Sequence, residues 1–198
     1  MKRMLIVIIA SLFVAVPVYG QTPGPGETVK ADVTKVLDIL RDPALKGETA
    51  KEIKKKKLEQ AADHMFDYTA LSKLTLSRNW KKLNAAQQKE FVELFRQVLE
   101  QAYMDKILSY SNEKVVFDKA RMLTARKAEV PTRVVTKSNE IPITYRVYLK
   151  DGTWKIYDVV VEGVSLVQNY RTQFKQILSN NPPEELLKQL REKVAKSA

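Results

Sequence analysis

The fold of this chain is decided by residues 141–163, which read IPITYRVYLKDGTWKIYDVVVEG. Apolar and polar residues alternate on both sides of Asp151-Gly152, and this alternation predicts β-strands over 141–149 and 154–161. An Asp-Gly pair suits the two central positions of a type I′ turn, because both positions require a positive φ. The stretch therefore predicts an antiparallel hairpin closed by a two-residue turn.

The turn also sets the predicted register of this hairpin. Lys150 pairs with Thr153, and uninterrupted pairing then places Tyr145 opposite Asp158. Because opposed residues share a face of the sheet, one face is predicted to be apolar apart from a single carboxylate. Its members are Ile141, Ile143, Tyr145, Val147, Leu149, Trp154, Ile156, Asp158 and Val160.

Asp158 breaks this apolar pattern, and two interpretations stay open for it. A carboxylate on an apolar face must be hydrogen-bonded or paired with a charge. One interpretation is a structural anchor between the sheet and a helix, with Tyr145 as a donor. The other is a general base in an apolar pocket, as in small isomerase-like enzymes. The anchor is favoured because no second acid or oxyanion donor accompanies Asp158.

Helical periodicity lies before the predicted hairpin. Apolar residues recur every three to four positions in four stretches. These stretches are 28–40, 49–64, 66–76 and 85–110. The last is the longest, and Asn84 with Gln87 resembles a capping pair at its start.

Two further strands and two further helices complete the predicted fold. Residues 114–121 and 124–136 alternate with period two, which predicts strands. One helix is predicted to start after Glu162-Gly163 and another at Asn181. Helices, an antiparallel sheet and more helices in this order indicate a single α+β domain, with helices packed on one face of the sheet.

Residues 1–20 have the three parts of a secretory signal peptide: a basic start, an apolar middle and a small-residue end. The apolar run, 4–16, is shorter than the roughly 20 residues that span a bilayer. The absence of cysteine removes a lipoprotein anchor. We therefore expect cleavage after Gly20, a flexible leader at 21–26 and one domain at 27–198.

The composition of the chain favours some kinds of partner and excludes several kinds of catalytic or metal site. The formal net charge of +11 favours anionic partners, and export makes lipid headgroups a better match than nucleic acid. His64 is the only histidine and cysteine is absent, which removes thiolate nucleophiles and histidine or thiolate metal clusters. No glycine-rich phosphate loop is present. We expect no metal and no cofactor.

Residues 154–174, WKIYDVVVEGVSLVQNYRTQF, resemble the signature of the MlaC family. Two shorter stretches, 79–83 (NWKKL) and 141–145 (IPITY), resemble further motifs of this family. The family usually carries a Leu-Gly pair before the first of these, where this chain has Leu76-Ser77. The backbone angle at Ser77 is therefore a point at which the chain departs from the pattern.

The resemblance implies a periplasmic phospholipid-binding protein of a Gram-negative transport system, also known as a toluene-tolerance auxiliary protein. It implies a monomeric shuttle between an outer-membrane lipoprotein–porin complex and an inner-membrane ABC transporter with an MCE-type subunit. Such transport maintains the lipid asymmetry of the outer membrane. Phospholipid would be cargo rather than cofactor, and no reaction would be catalysed.

The resemblance also implies an apolar lipid cavity between the helices and a curved sheet. Each buried CH₂ is worth about 0.8 kcal/mol, so two acyl chains need an enclosed apolar chamber. We predict a floor of Tyr145, Val147, Leu149, Ile156 and Val160, and walls of Phe91, Phe95, Leu99, Tyr103, Leu166, Tyr170 and Phe174. Two alternatives stay open: an enzyme that uses Asp158, and a protein-binding adaptor in which these residues fill a solid core.

Overall fold

A computed structural model of the chain describes residues 23–110 and 113–196. The predicted signal peptide, 1–20, lies outside the described residues. The helices are α1 Pro25–Arg41, α2 Glu48–Met65, α3 Tyr68–Leu76, α4 Ala85–Leu108, α5 Leu166–Asn180 and α6 Pro183–Lys196, with 3₁₀ turns at Pro43–Leu45 and Ser77–Lys82. The strands are β1 Lys114–Phe117, β2 Arg121–Thr124, β3 Lys127–Val135, β4 Glu140–Lys150, β5 Thr153–Val161 and β6 Val164–Ser165.

All strand pairs are antiparallel, in the order β1-β3-β4-β5-β6, and β2 pairs with the same strand β3 as β1 does. Helices precede and follow this sheet, which confirms the predicted α+β domain. The predicted strand 114–121 is wrong in its extent, because the chain breaks into β1 and β2 at Asp118. There the Asp118 N–H donates to the carbonyl of Pro131, whose own nitrogen has no hydrogen for the ladder.

The hairpin of β4 and β5 has the predicted turn. Asp151 and Gly152 have φ of 48° and 78°, and Lys150 pairs with Thr153. Both central residues therefore have the positive φ that a type I′ turn requires. A second tight turn, at Glu162-Gly163, leads into β6 before α5 starts, so this helix begins later than predicted.

The predicted register of the hairpin fails beyond Val147. Val147 pairs with Ile156 as predicted, but a β-bulge follows and Tyr145 pairs with Val159 instead of Asp158. The predicted pairing of Ile143 with Val160 fails for the same reason. The prediction that Asp158 and Val160 share the face of Tyr145 is therefore wrong, because Val159 and Val161 take their places. Residues 159–161 are all valine and fit either register, so the carboxylate on the predicted apolar face was the one local sign of the bulge.

The starts of two helices are set by local capping. α1 begins at Pro25, earlier than predicted, because proline suits the first helical position and Glu27 accepts a hydrogen bond from Gly24 N–H at 3.1 Å. The end of the predicted leader is therefore helical. Asn84 and Gln87 cap α4 reciprocally, with both hydrogen bonds at 2.9 Å, which confirms that prediction.

Ser77 stands where the resemblance implies a glycine, and it has a backbone conformation that suits glycine. Its φ is 51° and its ψ is −126°, and its N–H donates to the carbonyl of Lys73 at the end of α3. Residues other than glycine rarely adopt this combination of φ and ψ, because their Cβ clashes with the backbone. The turn is thus retained at a cost in local strain.

Buried apolar side chains form two clusters. The helical cluster joins α3, α4, α5 and α6 and contains Leu71, Leu76, Leu83, Phe91, Phe95, Val98, Leu99, Val167, Tyr170, Phe174, Leu178, Leu186, Leu187 and Leu190. The sheet cluster lies between the sheet, α1 and the end of α2 and contains Val29, Val33, Met65, Ala128, Val130, Val147, Trp154 and Ile156. Phe66 packs against both clusters and marks their junction.

Candidate functional site

The twelve predicted lining residues do not meet in one place. Seven of them belong to or pack against the helical cluster: Phe91, Phe95, Leu99, Tyr103, Leu166, Tyr170 and Phe174. Four belong to or pack against the sheet cluster: Tyr145, Val147, Leu149 and Ile156. Val160 is half-buried and pairs with Ser165 of β6.

Aromatic rings fill the centre of the helical cluster. The ring centroids of Phe95 and Tyr170 are 4.8 Å apart, and Phe174 lies 5.4 Å from Phe91 and 5.2 Å from Phe95. Phe91 and Phe95 are buried. Edge-to-face and tilted rings at these distances are typical of a packed core. Half-buried Tyr103 and Leu166 lie at its margin.

The apolar face of the sheet changes from buried to half-buried along its length. Ala128, Val130, Val147 and Ile156 are covered by α1 and the end of α2. On the other side of the bulge the apolar side chains of this face are only half-buried, although Thr132 among them is buried. The half-buried side chains there are Val134, Ile141, Ile143, Tyr145, Val159 and Val161. The sheet therefore presents an apolar surface that the described helices cover incompletely.

A cleft of about 480 Å³ lies between α1 and β1, beside this half-buried surface. We call it the α1–β1 cleft; it is lined by Lys30, Thr34, Leu37, Asp38, Arg41, Glu113, Lys114, Val115 and Phe117. Leu37, Val115 and Phe117 also pack against the sheet cluster, so the apolar part of the cleft continues onto the sheet. Its volume falls within the range of about 300–1,000 Å³ typical of ligand pockets.

Three cations, Lys30, Arg41 and Lys114, line the cleft together with two carboxylates. The lining thus combines the apolar side chains of Leu37, Val115 and Phe117 with a small excess of positive charge. This combination suits a ligand that is apolar at one end and anionic at the other. Sequence reasoning did not predict this cleft. The alternation of Val115 and Phe117 indicated a strand face, but no local signal shows which helix lies above it.

Polar groups from α1 and from Tyr110, which follows α4, meet at the start of β1 at one end of the cleft. The Arg41 guanidinium donates to the carbonyl of Glu113 at 3.0 Å, and the Tyr110 hydroxyl donates to the same carbonyl. Burial raises the pKa of Tyr145 to about 12, with a further contribution from Tyr110. The Tyr145 hydroxyl therefore stays protonated at neutral pH and can act as a donor inside the apolar site.

Asp158 has three hydrogen-bond donors around its carboxylate. Arg146 Nη1 and Ser165 Oγ donate to Oδ2 at 3.1 and 2.7 Å, and the Val167 N–H donates to Oδ1 at 3.0 Å. The prediction that Tyr145 is the donor is wrong, because the bulge places Arg146 opposite Asp158. These contacts favour a structural role over that of a general base, which needs access to a ligand proton.

Asp67 forms a second buried polar group that the sequence reasoning missed. It accepts hydrogen bonds from Tyr148, from Lys150 Nζ at 2.6 Å and from Ala70 N–H at 2.9 Å. Burial would raise the pKa of Asp67, but these hydrogen bonds outweigh it and hold the pKa below its usual value. The Asp67 N–H also donates to Ile156, which attaches the α2–α3 junction to β5. An aspartate directly before a helix was the available signal.

Within residues 23–110 and 113–196, no helix combines the length and the apolar character needed to cross a membrane. Over the same residues, no cluster of three or more histidine, aspartate or glutamate side chains is arranged to hold a metal ion.

The fold and the cleft define an α+β binding protein whose apolar sheet face opens beside a helix and a group of cations. The family described as MlaC protein matches residues 30–192, and the chain belongs to this family. This finding confirms the resemblance that residues 154–174 indicated.

Among the characterised proteins to which the chain is similar are two whose names indicate lipid transport or toluene tolerance. The chain is 25% identical over 183 residues to the toluene tolerance protein ttg2D of Pseudomonas putida, covering 91% of this chain and 84% of that protein. It is 25% identical over 122 residues to the intermembrane phospholipid transport system binding protein MlaC of Haemophilus influenzae. That match covers 59% of this chain and 57% of the Haemophilus protein.

A solved structure shares the fold. The phospholipid-binding protein from Ralstonia solanacearum, determined in complex with a phospholipid, matches with a TM-score of 0.76 and 24% identity. The match covers 86% of this chain and 96% of that one.

Proposed function

We propose that this protein is a periplasmic carrier that binds phospholipid. The observation that carries the proposal is the half-buried apolar sheet face that continues into the α1–β1 cleft, where cations are present. Membership of the MlaC family and the phospholipid in the name of the Ralstonia protein support the same ligand class.

The two ends of a phospholipid fit the two kinds of surface. The acyl chains would lie against the half-buried sheet residues, where each buried CH₂ contributes about 0.8 kcal/mol. The phosphate would lie near Lys30, Arg41 and Lys114, whose charges attract it without removing it from water. A partly open apolar face also gives a lipid a route of entry that a closed core would lack.

The predicted lining residues fall into groups with different proposed roles. Tyr145 would contact lipid directly, because it lies on the half-buried part of the sheet face. Val147, Leu149 and Ile156 continue the same face under α1 and the end of α2, and they would close the chamber on that side. Tyr103 and Leu166 would border the chamber. Val160 is left out of the proposed lining, because it pairs with Thr144 and lies on the opposite face of the sheet from Tyr145. The remaining predicted residues, Phe91, Phe95, Leu99, Tyr170 and Phe174, would act as a rigid wall whose rings contact one another.

The proposed carrier acts as a monomer between an outer-membrane lipoprotein–porin complex and an inner-membrane ABC transporter with an MCE-type subunit. It catalyses no reaction, and phospholipid is its cargo. The donors around Asp158 support this assignment over the isomerase-like alternative. Export through the predicted signal peptide would deliver the carrier to the compartment that separates the two membranes.

Mass spectrometry of the purified protein tests the proposal. The full chain is expressed with its signal sequence, the processed protein is isolated from the periplasm, and solvent-extracted lipid is quantified per mole of protein. We expect co-purified phospholipid, and uptake from vesicles after delipidation. Folded protein that is reproducibly lipid-free and takes up none would contradict the proposal and favour the adaptor alternative.

A further inference from the structure

The turn end of the β2–β3 hairpin carries two large apolar side chains in solvent. Met122 is 50% exposed and its neighbour Leu123 is 46% exposed. Every residue from 121 to 127 is exposed. Exposed apolar surface rimmed by polar residues can mark a contact with a membrane or with another protein, whereas one isolated apolar residue is ordinary.

The position of β2 explains why these side chains stay uncovered. Within the described residues β2 pairs only with β3, and Met122 lies opposite Ala128 while Leu123 falls at a register shift. Successive side chains of a strand point to opposite faces, so the two residues project from both sides of the hairpin. Neither belongs to the sheet cluster or the helical cluster.

Four cations flank this apolar pair in the sequence: Lys119, Arg121, Arg126 and Lys127. Lys127 Nζ lies 5.8 Å from the centroid of the Tyr157 ring. Arg121 pairs with Glu129, and Arg126 donates to the carbonyl of Leu149 at 2.9 Å, which orders both side chains. The nearest carboxylate in sequence, Asp118, pairs with Arg133. We call residues 119–127 the basic hairpin.

We propose that the basic hairpin docks the protein on an anionic phospholipid bilayer, with Met122 and Leu123 inserted among the headgroups and the cations on the phosphates. Apolar side chains flanked by Lys and Arg are the pattern that binds such interfaces. A protein partner is less suitable, because two side chains at a projecting turn offer far less than the about 800 Å² per side of a stable interface.

The basic hairpin lies next to the α1–β1 cleft, so docking would also position the cleft. β1 ends at Phe117, which lines the α1–β1 cleft, and the basic hairpin begins two residues later, at Lys119. Gly26 in the first turn of α1 lies so close to Ala120 that a side chain on Gly26 would come within 3.3 Å of the Ala120 Cβ. The start of α1 therefore packs against the first residues of the basic hairpin. Docking would therefore hold the Phe117 end of the cleft near the bilayer. The inference goes beyond the proposed function and does not require that lipid be the cargo.

Vesicle flotation of the purified processed protein tests the inference. Vesicles of phosphatidylcholine alone are compared with vesicles that also contain phosphatidylglycerol. We expect binding to the anionic vesicles, weakened about tenfold or more in the double variant Met122→Ser/Leu123→Ser, because two apolar contacts are lost. The double variant Lys119→Gln/Arg126→Gln should lose the preference for phosphatidylglycerol.

Two matched variants serve as controls. Ile53→Ser removes an equally exposed side chain, 55%, beside the lysine run Lys54–Lys57 of α2. Lys137→Gln removes an exposed cation after the other end of β3. Both should bind vesicles like the unmodified protein. Circular dichroism and thermal unfolding on every variant establish that each is folded.

Three results would overturn the docking proposal: no binding of the unmodified protein to anionic vesicles, unchanged binding by the Met122/Leu123 variant, or an equal loss in Ile53→Ser. No binding to anionic vesicles would indicate that the hairpin contacts a protein partner instead. An equal loss in Ile53→Ser would indicate that α2 is the docking surface. Lipid content is measured on the same samples. Variants that lose vesicle binding but keep bound lipid would separate docking from cargo binding.

Discussion

The carboxylate of Asp158 accepts a hydrogen bond at 3.0 Å from the backbone N–H of Val167, which joins β5 to the first turn of α5. N–H groups at this position have no partner within the helix, and they form the positive end of its dipole. Arg146 on β4 balances the carboxylate from another side at 3.1 Å. One side chain therefore connects two strands and a helix.

Replacing Asp158 should destabilise the protein without revealing a lost reaction. Asp158→Asn keeps the shape but removes one of the two carboxylates that pair with Arg146, the other being Glu129. It also weakens the hydrogen bonds that Ser165 and the Val167 N–H donate to this buried group, so we expect a loss of about 2 kcal/mol in the free energy of unfolding. Urea denaturation measures it. Ser165→Ala, which removes one donor and the N-cap of α5, should cost about 1 kcal/mol. A fully stable Asp158→Asn variant would refute the anchor role.

Ser77→Gly should stabilise the protein by about 1 kcal/mol. Glycine adopts a φ of 51° with a ψ of −126° without the clash that serine suffers, and the relief exceeds the added entropy of the unfolded chain. The midpoint of urea denaturation reports the change. Arg78→Gly in the same 3₁₀ turn is the control, and it should destabilise because Arg78 has no positive φ to relieve. A less stable Ser77→Gly variant would show that the strain is absent.

The pH dependence of stability should contain a contribution from Glu100. Burial raises its pKa to about 7, with Arg96 opposing and Glu59 and Asp63 adding to the rise. The folded state thus holds a proton that the unfolded state loses near 4.5, so this contribution is complete at acidic pH and disappears as pH rises through about 7.

Glu100→Gln isolates this effect. Between pH 5 and pH 8 the unmodified protein should lose about 2 kcal/mol relative to the variant, after allowance for solvent screening. Denaturation curves at several pH values give the difference. Parallel pH profiles of the two proteins would rule out a raised pKa at this carboxyl group.

The α1–β1 cleft can be tested with two adjacent residues of one strand. Val115 lines the cleft, whereas alternation points Val116 to the opposite face. Val115→Glu should lower bound phospholipid at least about tenfold, because the new carboxylate removes apolar surface from the cleft and competes with the phosphate for Lys30, Arg41 and Lys114. Val116→Glu should load normally, as measured by extracted lipid per protein. Val147 is a poorer probe, since it is fully buried and a glutamate there would unfold the sheet cluster.

Local chemistry was sufficient for much of this fold. The Asp151-Gly152 pair predicts its turn because few residues adopt positive φ, and the Asn84–Gln87 pair predicts the start of α4 because capping involves only neighbours. Periodicity of two and of 3.6 separates strands from helices for the same reason. The motif over 154–174 was enough to indicate the family.

Only the tertiary structure decided how these elements meet. Three successive valines permit either register beyond Val147, so the bulge that places Arg146 opposite Asp158 depends on contacts outside the hairpin. The division of apolar residues into two clusters, and the covering of the sheet by α1, depend on contacts between residues distant in sequence. A pattern in the chain shows that a residue is apolar, whereas its neighbours in space determine whether it fills a core or borders a cleft.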